Sequence, residues 1–141
     1  MGVTQVIIGV PKEICPDEER VALTPANVGT LLKKNGVEIR IERGAGEAAG
    51  FTDGEYENAG AKLTDRDDIF SNAQAILQVQ TPGSNTTNGQ EDLDKLKAGQ
   101  FLIGMTDPLA NAQFAQALAE RNITGLALEL IPRITRAQSM D

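Results

Sequence analysis

The ten residues Pro132-Arg133-Ile134-Thr135-Arg136-Ala137-Gln138-Ser139-Met140-Asp141 hold the densest set of groups able to recognise a ligand. Two arginines, a glutamine and an aspartate supply a fork of cationic donors, an amide and a carboxylate, the set that grips a planar polar molecule. The same composition also suits a solvated linker leaving a domain, because charged residues are usually exposed. Comparable groups stand at 12–20, at Gln80 and at Thr106-Asp107. What is missing narrows the chemistry further. The chain has no histidine and one cysteine, Cys15. That removes the Ser-His-Asp and Cys-His triads, His-ligated zinc and the usual general base near neutral pH. No internal disulfide can form, and a cytosolic setting fits. Cys15 is expected to be inert, since several neighbouring acids would raise its pKa.

These groups need elements to position them, and short β-like runs alternating with helix-like stretches provide them. Strands are predicted at 5–10 (QVIIGV), 37–42 (VEIRIE), 61–63, 75–80 (AILQVQ), 101–105 (FLIGM) and 123–130 (ITGLALEL), from β-branched and apolar runs. Thr24-Pro25 reads as an N-cap with proline at the first helical position, and Gly36 ends that helix. Further helices are predicted over 53–59, behind the T-x-x-E box of Thr52 to Glu55, over 65–72 with an acidic first turn, and over 91–97. Another is predicted from Asp107-Pro108 onward, with Leu109, Phe114, Ala117 and Leu118 turned inward. Gln78 and Gln80 fall on one face of their strand. The polar stretch 81–90 (TPGSNTTNGQ) reads as a mobile loop without chemistry.

This alternation predicts a three-layer, Rossmann-like (flavodoxin-like) α/β domain over 1–131, with a mostly parallel sheet of about six strands covered on both faces. Ligands of such folds gather at the carboxyl ends of the strands, where all four polar clusters fall, so they should converge on one cleft. The Gly44-Ala45-Gly46-Glu47-Ala48-Ala49-Gly50 run invites a dinucleotide-phosphate reading. Its third glycine is one place late and no helix opens directly behind it, so a sharp turn using positive φ is expected instead.

Composition excludes other classes. Apolar content is 40% and charged content 23%, ordinary for a globular domain. The formal charge of -7 argues against nucleic acid and against direct contact with an anionic membrane surface. No apolar run reaches the roughly 20 residues that span a bilayer, and 1–10 lacks the basic and long apolar regions of a signal peptide.

Four motifs together, GVPKE at 9–13, ERVALTP at 19–25, GAG at 44–46 and PRITRAQSMD at 132–141, resemble the amino-terminal domain shared by alanine dehydrogenase and the alpha subunit of proton-translocating NAD(P) transhydrogenase. The first three are common to both branches, while the last is similar to the transhydrogenase pattern. The resemblance implies a cleft built on Arg20, Gln80 and Asp107. Alanine dehydrogenases keep an arginine at the position of Arg20, a lysine at that of Gln80 and a catalytic histidine at that of Asp107. A neutral amide cannot replace an ammonium that polarises a keto acid, so oxidative deamination is not expected. For Arg20 a structural ion pair to a loop carboxylate is at least as good a reading as ligand binding.

The transhydrogenase resemblance further implies NAD (NADH) as cofactor and direct hydride transfer without a protein acid or base. NADP would be bound by a partner subunit, and proton movement would be coupled elsewhere. Arg133, Gln138 and Asp141 match the arginine, glutamine and aspartate that the family places at the nicotinamide. An Arg133 to Asp141 ion pair would leave the Gln138 amide free for the ribose or carboxamide. The segment 132–141 would then be a nicotinamide-contacting loop at the start of a linker to an absent NAD-binding domain. Implied partners are the membrane and NADP-binding subunits and a second copy in a homodimer, with the domain cytoplasmic and peripheral to the inner (plasma) membrane. The isolated domain should be inactive. The alternatives are an alanine dehydrogenase-like oxidoreductase domain and a stand-alone, non-catalytic interaction module.

Overall fold

Apolar β-branched runs extend and pair, and each is followed by a helix that carries the chain back to the same end of the sheet. The computed structural model describes residues 5–131. Its strands are β1 (Val6–Val10), β2 (Val37–Glu42), β3 (Lys62–Thr64), β4 (Ala75–Gln80), β5 (Phe101–Met105) and β6 (Thr124–Ala127). All pairings are parallel, in the order β3-β2-β1-β4-β5-β6. In this doubly wound order two halves meet at β1 and β4, and the crevice between them opens at the strands' carboxyl ends.

Five helices make the crossovers: α1 (Pro25–Leu32), α2 (Asp53–Ala59), α3 (Arg66–Asn72), α4 (Gly89–Lys95) and α5 (Ala112–Glu120). Their starts follow local chemistry. Thr24 caps α1 by accepting from the Asn27 N–H, and the Asn27 side chain returns the bond to Thr24. Thr52 and Asp65 cap α2 and α3 in the same way, accepting from the N–H groups of Glu55 and Asp68. The 44–50 run is a turn with Gly44 at φ 80°, a 3-10 turn (Glu47–Ala49) and Gly50 at φ 90°. Gly46 is required for another reason. A Cβ there would stand 2.6 Å from the Tyr56 ring, whose hydroxyl donates to the Leu23 carbonyl at 2.7 Å.

The core lies in two layers on opposite faces of the sheet. Val10, Val28, Ile39, Ile41 and Tyr56 are fully buried on the face carrying α1 and α2. On the other face Ile76 and Leu102 pack with Ile69 and Phe70 of α3, Leu93 of α4, and Phe114 and Leu118 of α5.

Four expectations are corrected. The last strand ends at Ala127, and Leu128–Leu130 form a 3-10 turn instead of extending it. The helix expected behind Asp107-Pro108 begins at Ala112, capped by Asn111, because Asp107 itself sits at φ 52° in a turn. Leu109 is therefore 91% exposed, while Phe114 and Leu118 are buried as expected. The 81–90 stretch is packed rather than free. Thr81 and Asn85 are buried, the hydroxyls of Thr81 and Ser84 both donate to the Met105 carbonyl, and the Asn88 amide donates to the Ile14 carbonyl.

The sheet is covered on both faces only over part of its width. Side chains of β5 alternate, Leu102 inward against α4 and α5, Phe101 and Ile103 to the opposite side. In register with them stand Thr124 and Leu126 of β6. Leu77 of β4 still packs against the core under α1, but among the described residues no α-helix covers that second face of β5 and β6, and Phe101, Leu126 and Leu128 are between 41% and 49% exposed.

Candidate functional site: the crevice between β1 and β4

Pairing between β1 and β4 is short, covering only Ile8 with Ala75 and Gly9 with Ile76. Beyond it β1 turns away at Pro11 while β4 runs on, and the register of β4 against β5 shifts between Leu77 and Gln80. The shift is a bulge, with two residues of β4 where β5 has one. β5 accommodates it through Gly104, where a Cβ would lie 1.9 Å from the Gln78 carbonyl oxygen. The opened crevice receives the Glu13 carboxylate, which accepts from the Val79 N–H at 2.9 Å and the Gln80 N–H at 2.8 Å. Burial outweighs these two bonds and pushes the Glu13 carboxyl up to about 7.

Arg20 and Gln80 are brought together by a third residue. The Glu18 carboxylate accepts from Arg20 Nε and Nη2, both at 2.8 Å, and from Gln80 Nε2 at 3.0 Å. The Arg20 hydrogen bond, above all, holds Glu18 down to about 2, although burial opposes it. The Glu18 side chain is 7% exposed and that of Arg20 67%, so the cation stands outward on a buried anchor. Arg20 thus makes the loop ion pair that its sequence context allowed. Gln78 and Gln80 do not act together, because the bulge sends Gln78 to Asp92 and Gln80 to Glu18.

Asp107 is placed at the end of β5 and enters through its backbone. Its N–H and that of Thr106 donate to the Glu129 carboxylate at 2.8 and 2.9 Å. Among the described residues no hydrogen bond or ion pair links its side chain to Arg20 or Gln80. Arg133, Gln138 and Asp141 lie outside the described residues.

Arg20, Val21 and Ala22 form one wall of a cleft of about 330 Å³, and Leu77, Gln78, Val79, Ile103, Met105 and Leu128 line the rest. It is apolar with a cation at its rim, a shape suited to a flat ring bearing a polar substituent. It lies on the second face of β4 and β5, beside the edge of the α1-side core. A second cavity of similar volume, lined by Asn85, Asn111 and Phe114 among others, lies between α4 and α5 and shares no residue with this site.

A buried polar hub underlies the crevice and was not read from the sequence. Arg66 of α3 donates Nε and Nη2 to the two oxygens of Asp92 at 2.9 and 2.5 Å. Its Nη1 donates to Glu42 at 2.8 Å and to the Lys12 carbonyl at 2.7 Å. Burial works against this charge, yet the carboxylates of Asp92 and Glu42 hold it above its ordinary value. Gln78 adds an Nε2 bond to Asp92 at 2.9 Å, and its Oε1 is buried without a hydrogen-bond partner. The partners of Arg66 are 24, 26 and 54 residues away, separations for which no local pattern gives a signal. Cys15 stands at the loop's edge with its thiol pushed up by burial and by the carboxylates of Glu18, Glu13 and Asp17.

A doubly wound parallel sheet with polar groups gathered at its switch point defines the class of Rossmann-like α/β domains. Within that class, the family model for the amino-terminal domain of alanine dehydrogenase and PNT matches residues 9–141, and the chain belongs to this family. It is 39% identical over 131 residues to the first part of NAD(P) transhydrogenase subunit alpha of Rickettsia prowazekii, covering 92% of this chain and 33% of that protein. It is 36% identical over 132 residues to alanine dehydrogenase of Methanococcus maripaludis, covering 93% and 34%. Among solved structures, a transhydrogenase from Sinorhizobium meliloti superposes with TM-score 0.85 at 36% identity, over 96% of this chain and 38% of that one. The chain therefore spans about a third of the length of the curated relatives it matches. Among the described residues no helix is long and apolar enough to cross a membrane.

Proposed function

We propose that the chain is the amino-terminal part of an NAD(H)-binding transhydrogenase alpha subunit. Its work is to orient the nicotinamide of NADH for direct hydride transfer to NADP held by a partner subunit. The observation that carries this reading is Gln80: a neutral amide, held by a carboxylate, stands where deamination would need a cation, in a chain without histidine. Hydride transfer between two nicotinamides asks the protein only for orientation and exclusion of water. An apolar cleft with polar groups at its rim suits that task.

NADH bound here would supply the hydride, and this chain's residues would hold the ring in place. Arg133 and Asp141 would fix the segment 132–141, with the Gln138 amide bonding the ribose or carboxamide. Proton coupling, membrane attachment through partner subunits and homodimer formation belong to the longer assembly. Kinetics on Arg133→Ala and Gln138→Ala in the complete subunit test the reading. Hydride transfer should fall at least roughly tenfold in each, the scale of one lost orienting contact, and rates equal to wild type would remove these residues from the site.

A further inference from the structure

The crevice contains a carboxylate that takes no part in the ligand contacts or hydride transfer described above. In a regular strand, successive N–H groups point to opposite neighbours. The bulge in β4 turns two consecutive ones, of Val79 and Gln80, toward the β1 side, where β1 has already left. Glu13 takes both. Its hold on the Gln80 backbone fixes the root of the side chain that reaches Glu18, and Glu18 in turn grips Arg20 through two side-chain bonds and one backbone bond. One carboxylate therefore stands at the head of a chain of contacts that ends on the outward cation of the cleft.

We propose that Glu13 is a positioning residue: seated between β1 and β4, it holds the end of β4 so that Gln80 and Glu18 present Arg20 at the cleft. Proton uptake by Glu13 releases that arrangement. A neutral carboxylic acid keeps one good acceptor in its carbonyl oxygen, while its hydroxyl oxygen is a much weaker acceptor and carries a proton of its own, so the two-bond clasp is weakened. The charged and titratable groups facing it are Glu18, Arg20 and the Cys15 thiol of its own loop and Arg66 of α3. β4 presents only neutral amides. Burial raises its carboxyl to about 7, with Glu18 opposing its charge and Arg66 favouring it, so release falls near neutral pH. The inference rests on the proposed reading only in taking the cleft to face a nucleotide, since the clasp itself is measured without one.

Nuclear magnetic resonance of the 141-residue chain between about pH 5 and 9 tests it. The Glu13 carboxyl carbon, the Val79 and Gln80 amides, the Gln80 side-chain amide and Arg20 Nε–H should shift with one common midpoint near pH 7. In Glu13→Gln the last two should no longer titrate in that range. Gln80 and Arg20 signals that stay still in the wild-type chain, or that titrate unchanged in Glu13→Gln, would overturn the proposal. If the variant does not fold, the wild-type titration decides alone. Loss of NADH binding in the complete subunit would bear on the proposed function and leave these titrations untouched.

Discussion

Glu13 and Glu18 share a loop yet are driven in opposite directions, and the difference lies in who neutralises them. Glu18 meets a guanidinium and falls to about 2, whereas Glu13 meets backbone amides in a buried crevice and rises to about 7. An acid with a folded value above its unfolded one lets the native state bind an extra proton between the two. Its contribution to stability is therefore complete below about 4.5 and lost as pH rises toward 7. Urea denaturation should show the wild-type chain losing on the order of 2 kcal/mol relative to Glu13→Gln between about pH 5 and pH 8. Parallel pH profiles would contradict the assignment. For Glu18 the sign reverses: its contribution is present above the ordinary carboxylate value and lost as pH falls toward 2. The Arg66 to Asp92 pair is the other residue-scale commitment. Asp92→Ala leaves the largely buried guanidinium with Glu42 as its remaining carboxylate and its Nε and Nη2 without their acceptors, and should cost about 3 kcal/mol in the same measurement.

At the scale of elements, most of the fold was legible and the exceptions share a cause. Strand positions followed from β-branched runs, α1 and α2 from caps whose signal is complete within four residues, and α3 from its acidic first turn. Asp107-Pro108 carries the same local signal and misleads. Its backbone is held by Glu129, 22 residues on, which draws Asp107 into a left-handed turn and delays α5 to Ala112. The site divides the same way. Strand-end position pointed to Arg20 and Gln80, but the carboxylate between them, the Glu13 clasp and the Arg66 hub depend on contacts that span the chain. Helix α5 allows a direct comparison of burial. Leu118→Ala, with 5% exposure, should cost about 2–4 kcal/mol, and Leu109→Ala, at 91% exposure and outside the helix, less than about 0.5. Similar melting temperatures for the two variants would mean that α5 is wrongly seated.

On the scale of the whole molecule, the described chain is a scaffold with one flank open. Its crevice offers a cation, an amide and an apolar floor, but the 44–50 turn leads into a 3-10 turn and not into an α-helix whose first amides could hold a pyrophosphate. With about a third of its relatives' length, the 141-residue chain should bind NADH weakly or not at all. Titration calorimetry checks this, and micromolar affinity would show that the described crevice suffices for the nucleotide.

The open flank has a colloidal consequence. Among the described residues β6 has a strand neighbour on one side only, and Leu126 of that strand and Leu128 just after it are half-exposed. An apolar edge of this kind can template pairing with another copy. A formal charge of -7 sets copies against one another at neutral pH, so the barrier to such pairing is electrostatic. Acidification toward neutral net charge, or salt sufficient to screen it, should draw molecules together along this edge, and Leu126→Lys should keep them dispersed.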